Sequence, residues 1–299
     1  MEVIGIGALN VDKLFFVERI AGAGDEVPVN RWVRAPGGSA ANTIIGLARL
    51  GVKTGFIGNV GYDDDGTYLL NDMEKENVDT GGIKRIKGST GIILGFVDKK
   101  GERALYAYPG VNNTVEISPD ILEYAKKAKM LHLSSFVGER AYEAQRRLLK
   151  ELSDIEISFA PGALYVRKKI KALELMIRKS SVIFLNKSEV EILTGKEYKK
   201  GVYELLKKGA GIVAVTLGEA GCYIADNREN HRINAYKTQV VDTTGAGDAF
   251  AAGFLYGYLR GKTLIECGKL GNWVASRCIS RVGARSGLPY ASDLDSANL

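Results

Sequence analysis

An α/β fold with a mainly parallel sheet, helices on both of its faces and a small β-sheet lid is the architecture the sequence predicts. Three observations carry it. Short β-branched runs alternate with longer helical patterns through most of the 299 residues, the rhythm of βα units. Runs such as IVAVTL, from Ile212 to Leu217, are apolar on both sides, as strands covered on two faces must be. Two stretches, Leu14–Arg34 and Ile83–Val111, break the rhythm with strand-like alternation and turns but no good helix.

The periodicity places strands at Glu2–Gly7, Thr54–Gly58, Met130–Leu133, Ile155–Phe159, Val182–Leu185 and Gly211–Thr216. Helical patterns lie between them at Ala40–Leu50, Thr67–Glu76, Ala141–Leu152, Val166–Ser180 and Ser188–Leu193. In GIILGFVDKKGERALYAY, Asp98–Gly101 reads as a hairpin turn between two β runs. The two irregular stretches suit a small sheet projecting as a lid; hairpins extending the edge of the main sheet are the alternative. No linker or repeat interrupts the chain, so residues 1–299 read as one domain with a lid at about 14–34 and 83–111.

Composition narrows the function. Hydrophobic residues make up 45% and charged residues 25% of the chain, the balance of a soluble globular protein. The net charge of +6 is spread along the sequence, which fits a solvated surface or a taste for small anions. No basic run alternates with aromatics, so nucleic acid is not expected as a partner. No apolar run reaches the roughly 18 residues of a membrane span, and no basic leader precedes the first strand. Cys222, Cys267 and Cys278 lack metal-type spacing, and buried free thiols in a reducing cytoplasm are the simplest reading. With two histidines in all, a histidine metal site is not expected.

The most informative stretch is Val241–Phe250, VDTTGAGDAF. Gly245, Ala246 and Gly247 are small, so backbone N–H groups can converge on one cavity, and an apolar helical segment follows. A glycine turn at a helix N-terminus attracts anions. Asp248 repels them, which makes sense if its carboxylate accepts a proton from an attacking hydroxyl. An ordinary strand–turn–helix corner, with the acid favouring the first turn, is the structural alternative.

Other segments add polar groups near strand ends, where open parallel sheets bind ligands. Asn10 and Asp12 in GALNVD can hydrogen-bond a diol, or serve turn chemistry. In Pro36–Asn42 (PGGSAAN) paired glycines allow close backbone approach and Asn42 can reach a hydroxyl; otherwise the segment is a helix start capped by Ser39. The acids of Gly58–Gly66 (GNVGYDDDG) read as surface and capping residues. Asn186, Glu189 and Glu191 stand where VIFLN meets a helix, where a carboxylate can hold magnesium directly or through water or can cap the helix. Thr216–Gly221 (TLGEAG) can pass under a nucleotide or form a plain turn. Gly257–Thr263 is one residue short of a Walker A loop and follows a helix, so it reads as a helix end. Gly5–Asn10 lacks the third glycine of a dinucleotide fingerprint, which counts against a nicotinamide dehydrogenase.

Taken in order, GALNVD, PGGSAAN, NKSEVEIL, VTLGEAG and DTTGAGDAF resemble the ribokinase-like (pfkB) family of carbohydrate and nucleoside kinases, over nearly the whole chain. The resemblance implies a Rossmann-like three-layer α/β domain with a β lid that often pairs with a second subunit's lid. It implies transfer of a terminal phosphoryl group from ATP, or from ADP in a variant, to a hydroxyl. By position, Asp248 is then the base and Gly245, Ala246 and Gly247 the anion hole. Asp12, Gly38 and Asn42, with Asn10 a lesser candidate, match acceptor-binding positions. Asn186 and Glu189 match an Asn-x-x-Glu motif tied to Mg2+ and phosphate. Thr216, Gly218 and Gly221 match the nucleotide turn, and Asn272 lies in the helix that flanks the base.

Three departures qualify the match. Ser39 stands where ribokinase has lysine, Ala160 replaces a frequent acid or amide, and Gly287 in GARSGLP replaces a cation-binding serine, so a monovalent cation is not required by the resemblance. A sugar, a nucleoside and a sugar phosphate are all compatible as acceptor. A phosphate would need a cationic partner, for which Arg103 or Arg34 of the lid could serve, although a solvated surface role is the simpler reading of both. A non-catalytic sugar or nucleotide sensor is the alternative of a different class, and the intact Asp248 and GAG turn argue against it.

Overall fold

The computed structural model describes residues 1–297. Among these, nine strands form a large sheet. In spatial order they are Asn230–Ile233, Cys222–Ala225, Ile212–Thr216, Val182–Asn186, Glu156–Ala160, Met130–Ser134, Val3–Ile6, Thr54–Gly61 and Asp79–Ile86. Pairing is parallel except where Cys222–Ala225 and Asn230–Ile233 add antiparallel at one edge.

Alternation along the buried strands feeds two cores. Ile4, Ile6, Leu131, Leu133, Ile183 and Leu185 pack on one side with residues of helices Glu139–Glu151, Lys187–Thr194 and Tyr198–Lys207. Val3, Met130, Val182, Phe184 and Ala214 pack on the other with Ser39–Arg49, Ala246–Leu259 and Leu264–Cys278. The outcome is three layers, as the run of two-sided apolar strands requires. Among the described residues no helix is long and apolar enough to cross a membrane.

A separate four-stranded sheet has the order Val29–Gly37, Asn10–Val17, Gly91–Val97, Arg103–Tyr108. It begins at Asn10, directly after the first strand of the large sheet and its short loop, whereas Ile83–Ile86 belongs to the large sheet's edge strand. The hairpin turn at Asp98–Gly101 is closed by Gly101 N–H donating to the Asp98 carbonyl at 3.0 Å. One face of this sheet carries Phe15, Trp32, Phe96 and Tyr106 in ring contact. Asp12 and Arg103 each lie three residues from a member of that stack, so they project from the opposite face.

One helix expectation changes. Val166–Ser180 is not one helix: Gly162–Val166 and Glu174–Lys179 are separate, and Lys169 between them takes a left-handed φ of 67°. Arg167, Lys168, Lys169 and Lys171 crowd like charges at helical spacing, which disfavours a continuous helix. In the acidic turn, Asp63 caps helix Asp64–Lys75, and Asp65 pairs with Lys13 (2.9 Å) and Arg34 (2.7 Å) of the small sheet. Gly257–Thr263 does carry a helix end, at Leu259, and Thr263 caps the next helix.

Candidate active site

Asn186 and Thr216 finish neighbouring parallel strands in register. They line a cleft of about 370 Å³ together with Ser39, Glu189, Gly218, Ala246, Gly247 and Asp248. Helix Ala246–Leu259 starts at this cleft because Gly245, its N-cap, has a φ of 76°. A Cβ on Gly245 would also sit 2.5 Å from the Ala284 Cβ, so only glycine fits. Asp242 braces the turn: one oxygen accepts from Thr244 N (2.9 Å) and Oγ1 (2.7 Å), the other from Gly283 N (2.9 Å). Burial pushes the Asp242 pKa up, but these bonds and the Arg103 charge outweigh it and hold the carboxyl below its usual value.

The Ala246 amide donates to the Thr243 carbonyl at 3.2 Å. The next two amides, of Gly247 and Asp248, have no acceptor among the described residues. Two unpaired N–H groups at the positive end of a helix of 14 residues make a local anion attractor.

Asp248 is held from helix Ser39–Arg49. Ser39 Oγ donates to Asp248 Oδ1 at 2.7 Å and Asn42 Nδ2 donates to Oδ2 at 2.8 Å. Thr43 Oγ1 donates to the Asp248 carbonyl at 3.3 Å. Ser39 is therefore not the helix cap; Gly38 is, and Ser39 is the first helical residue with its hydroxyl turned to the acid. Burial pushes the Asp248 carboxyl up to about 6, with Glu189 adding to the rise, against the pull of Asn42, Ser39 and Arg285.

Asp12 is a second raised acid, at about 6, through burial opposed by Arg285 and reinforced by Asp248. Gly38 has a φ of 110°, and a Cβ there would lie 2.2 Å from the Ala8 carbonyl, so the loop passes tightly over the end of the first strand. Asn10 Oδ1 accepts from Asn112 Nδ2 at 2.9 Å; Asn112 also pairs with Leu9 N (3.0 Å) and O (2.9 Å).

Asn186 and Glu189 form a reciprocal capping box, each side chain bonded to the other's backbone N–H at 2.9 Å. Glu189 nevertheless lines the cleft, and burial raises its pKa. No group of three or more His, Cys, Asp or Glu able to hold a metal occurs among the described residues. With Asp248 clamped by Ser39 and Asn42, Glu189 is the cleft carboxylate that fits magnesium held through water and phosphate oxygens, rather than a protein cage.

An adjoining cavity of about 460 Å³ shares Thr216, Gly218, Ala246, Gly247 and Phe250 with the cleft and extends past Gly221, Tyr236 and Asn272. Asn272 Nδ2 donates to the carbonyls of Ile233 (3.2 Å) and Asn234 (3.0 Å), fixing the edge strand to that wall.

Sequence reasoning named Asn186, Glu189, Thr216, Gly218, Ala246, Gly247 and Asp248, which line the cleft, and Gly221 and Asn272 of the adjoining cavity. Asn10, Asp12, Gly38 and Asn42 line neither space, although Asn42 is bonded to Asp248. It did not find Arg285, Asp242, Asn112 or the role of Ser39. Arg285 is 7% exposed and donates to Asn42 Oδ1 from Nε at 2.8 Å, to the Gly37 carbonyl from Nη2 at 3.3 Å, and to Asp72 from Nη1. Arg103 of the small sheet donates to Thr244 Oγ1 at 2.7 Å, while Arg34 is engaged by Asp65 (2.7 Å) and the Asp64 carbonyl (3.2 Å).

The profile of the pfkB family carbohydrate kinases matches residues 2–291. An uncharacterized sugar kinase of Archaeoglobus fulgidus is 41% identical over 252 residues, covering 83% of this chain and 100% of the relative. An ATP-dependent ribose-1-phosphate kinase of Halopiger xanaduensis is 32% identical, covering 96% and 94%. A ribokinase structure from Thermotoga maritima superposes with a TM-score of 0.88 at 24% identity, over 99% of this chain and 98% of that one.

Proposed function

The chain belongs to the pfkB family of carbohydrate kinases, phosphotransferases with an alcohol group as acceptor, and from the cleft's geometry we propose which residues perform the transfer. Asp248 takes the proton from the acceptor hydroxyl. Amides of the Gly245–Gly247 turn, with the helix dipole behind them, offset the charge on the migrating phosphoryl oxygens. The single observation that carries this reading is the clamp on Asp248: both oxygens are held, by Ser39 and Asn42, beside the unpaired amides. A sensor that had lost catalysis has no use for a carboxylate held at an anion site.

The purine nucleotide, ATP by default and ADP as the alternative, runs along Thr216, Gly218 and Gly221 with Asn272 on the far wall. Glu189 would hold Mg2+ through water, and the ion would supply charge neutralisation to the donor phosphates. Asp12, Asn42 and Asn10, with Gly38 making room, meet the acceptor's hydroxyls. The small sheet acts as the lid over that end, excluding water during transfer. Its outer face exposes Trp32 at 57% and Tyr106 at 62%, a surface for a second copy's lid. A reducing cytoplasm suits three buried free thiols. Sugars, nucleosides and sugar phosphates, each offered with ATP and with ADP and the product identified by mass, test the assignment. Phosphorylation of none of them would remove it.

One observation favours a phosphorylated acceptor: Arg103 of the small sheet donates to Thr244, which directly precedes the Gly245–Gly247 turn. The ribose-1-phosphate kinase among the relatives points the same way. Arg103→Ala is expected to raise KM for a sugar phosphate by about 10- to 100-fold, the worth of a charge-assisted hydrogen bond, and to affect an unphosphorylated sugar less. Equal effects on both, or none, would exclude Arg103 from phosphate recognition.

The pH dependence follows from the two raised acids. If both Asp12 and Asp248 act as carboxylates, protonation near pH 6 removes activity from the acidic side. Because they interact, the apparent values belong to the pair. The plot of log kcat/KM against pH is expected to steepen towards a slope of two, about 100-fold per pH unit, below the transition. A flat profile from pH 8 to pH 5 would contradict a role for either acid in its ionised form.

A further inference from the structure

We infer that Arg285 is a positioning residue of the transfer site: it fixes the Asn42 amide that holds the base and supplies the buried positive charge beside Asp12 and Asp248. This rests on the kinase reading above.

The orientation argument is chemical. Asn42 stands between a guanidinium and a carboxylate, its Oδ1 accepting from Arg285 Nε at 2.8 Å and its Nδ2 donating to Asp248 Oδ2 at 2.8 Å. An asparagine amide has two nearly isosteric orientations. A guanidinium only donates and an ionised carboxylate only accepts, so one orientation satisfies both neighbours and the other satisfies neither. Arg285 is itself immobilised, by Asp72 of helix Asp64–Lys75 and by the Gly37 carbonyl at the end of the small sheet's strand. A relay thus runs Asp72–Arg285–Asn42–Asp248, joining the C-terminal loop to the base without touching it.

The charge argument is separate. Asp12 is faced by Arg285 and Asp248; Asp248 is faced by Ser39, Asn42, Arg285, Glu189 and Cys278; Asp72 has Glu76 and Arg49 on its other side. Burial makes ionisation of Asp12 and Asp248 costly, and Arg285 opposes that cost for both. Asp72 competes for the same guanidinium. Removing Arg285 therefore makes both site acids harder to ionise, whereas removing the Asp72 charge makes them easier.

The test uses the full chain as R285M, R285K and D72N. Asp12 and Asp248 are titrated by carboxylate 13C NMR, and kcat and KM are measured with ribose, ribose 1-phosphate and adenosine as acceptor probes. In R285M both acids should titrate about one pH unit higher, with kcat at least tenfold down and nucleotide Kd within twofold. R285K retains the charge but not the fork, so the titration should return towards wild type while kcat stays low. D72N should move both titrations to lower pH. If R285M does not fold, R285K and D72N still decide. Wild-type kcat and titrations in R285K with only a lowered Tm would overturn the inference, as would a D72N titration displaced upward. The kinase reading fails independently, if Asp248→Asn keeps turning over; an inactive D248N beside a normal R285K sinks only the role of Arg285.

Discussion

Asp248→Asn is expected to bind nucleotide with near-normal affinity and to lose at least ~100-fold in turnover, the lower range for removing a general base. The substitution is close to isosteric and leaves an oxygen to accept from Ser39 Oγ, which is 2.7 Å from Oδ1 in the wild type. The side chain no longer accepts a proton. The Asn42 contact also turns unfavourable if the new amide nitrogen faces Asn42 Nδ2, so part of the loss is geometric. Nucleotide affinity by calorimetry and turnover by coupled assay separate binding from chemistry. Near-normal turnover would remove Asp248 from the reaction.

Gly247→Val is expected to abolish most activity, by about 10²- to 10³-fold, while leaving the fold intact or firmer. A Cβ at Gly247 meets no atom within 4 Å and the residue lines both cavities, so an added side chain enters open cleft rather than packed protein. The scale is that of losing one preorganised donor to a developing oxyanion, because the branched side chain keeps phosphoryl oxygens away from the unpaired amides. Glycine is a poor helix residue, and its replacement by valine inside Ala246–Leu259 offsets other costs by only ~0.3 kcal/mol. Retained Tm with lost turnover is the expected pairing. Gly245 provides the contrast: its φ of 76° and the Ala284 contact mean that a side chain there should lower Tm as well. Full activity in Gly247→Val would locate phosphoryl transfer elsewhere.

The parallel sheet was legible because its strands are apolar on both sides, and alternation with helical patterns leaves few other arrangements. Local signals were less faithful where charge or distant contacts intervened. Val166–Ser180 has good helix formers throughout, yet its basic cluster splits it around Lys169. Ser39 looks like a cap because a serine before an apolar helical run commonly is one; only the approach of Asp248 from 209 residues away gives it another partner. Arg285 carried no signal of its own, since an arginine in a polar loop is usually solvated, and its burial depends on two distant segments, Gly37–Asn42 and helix Asp64–Lys75, closing around it. Asn186 and Glu189 were ambiguous in sequence between cap and cleft, and the structure gives them both positions at once.

The clamp on Asp248 also bears on how the enzyme matures. Its two halves are separated by most of the polypeptide, and Arg285, which steadies Asn42, is 243 positions from it. Such non-local closure belongs to the late, slow part of folding. During synthesis, the amino-terminal segment is made long before the turn that would aim a phosphate, so the acid and its clamp meet only when nearly all of the chain is present. Recovery of turnover after dilution from denaturant should accordingly lag behind recovery of circular dichroism, making enzymatic rate a strict readout of completed folding.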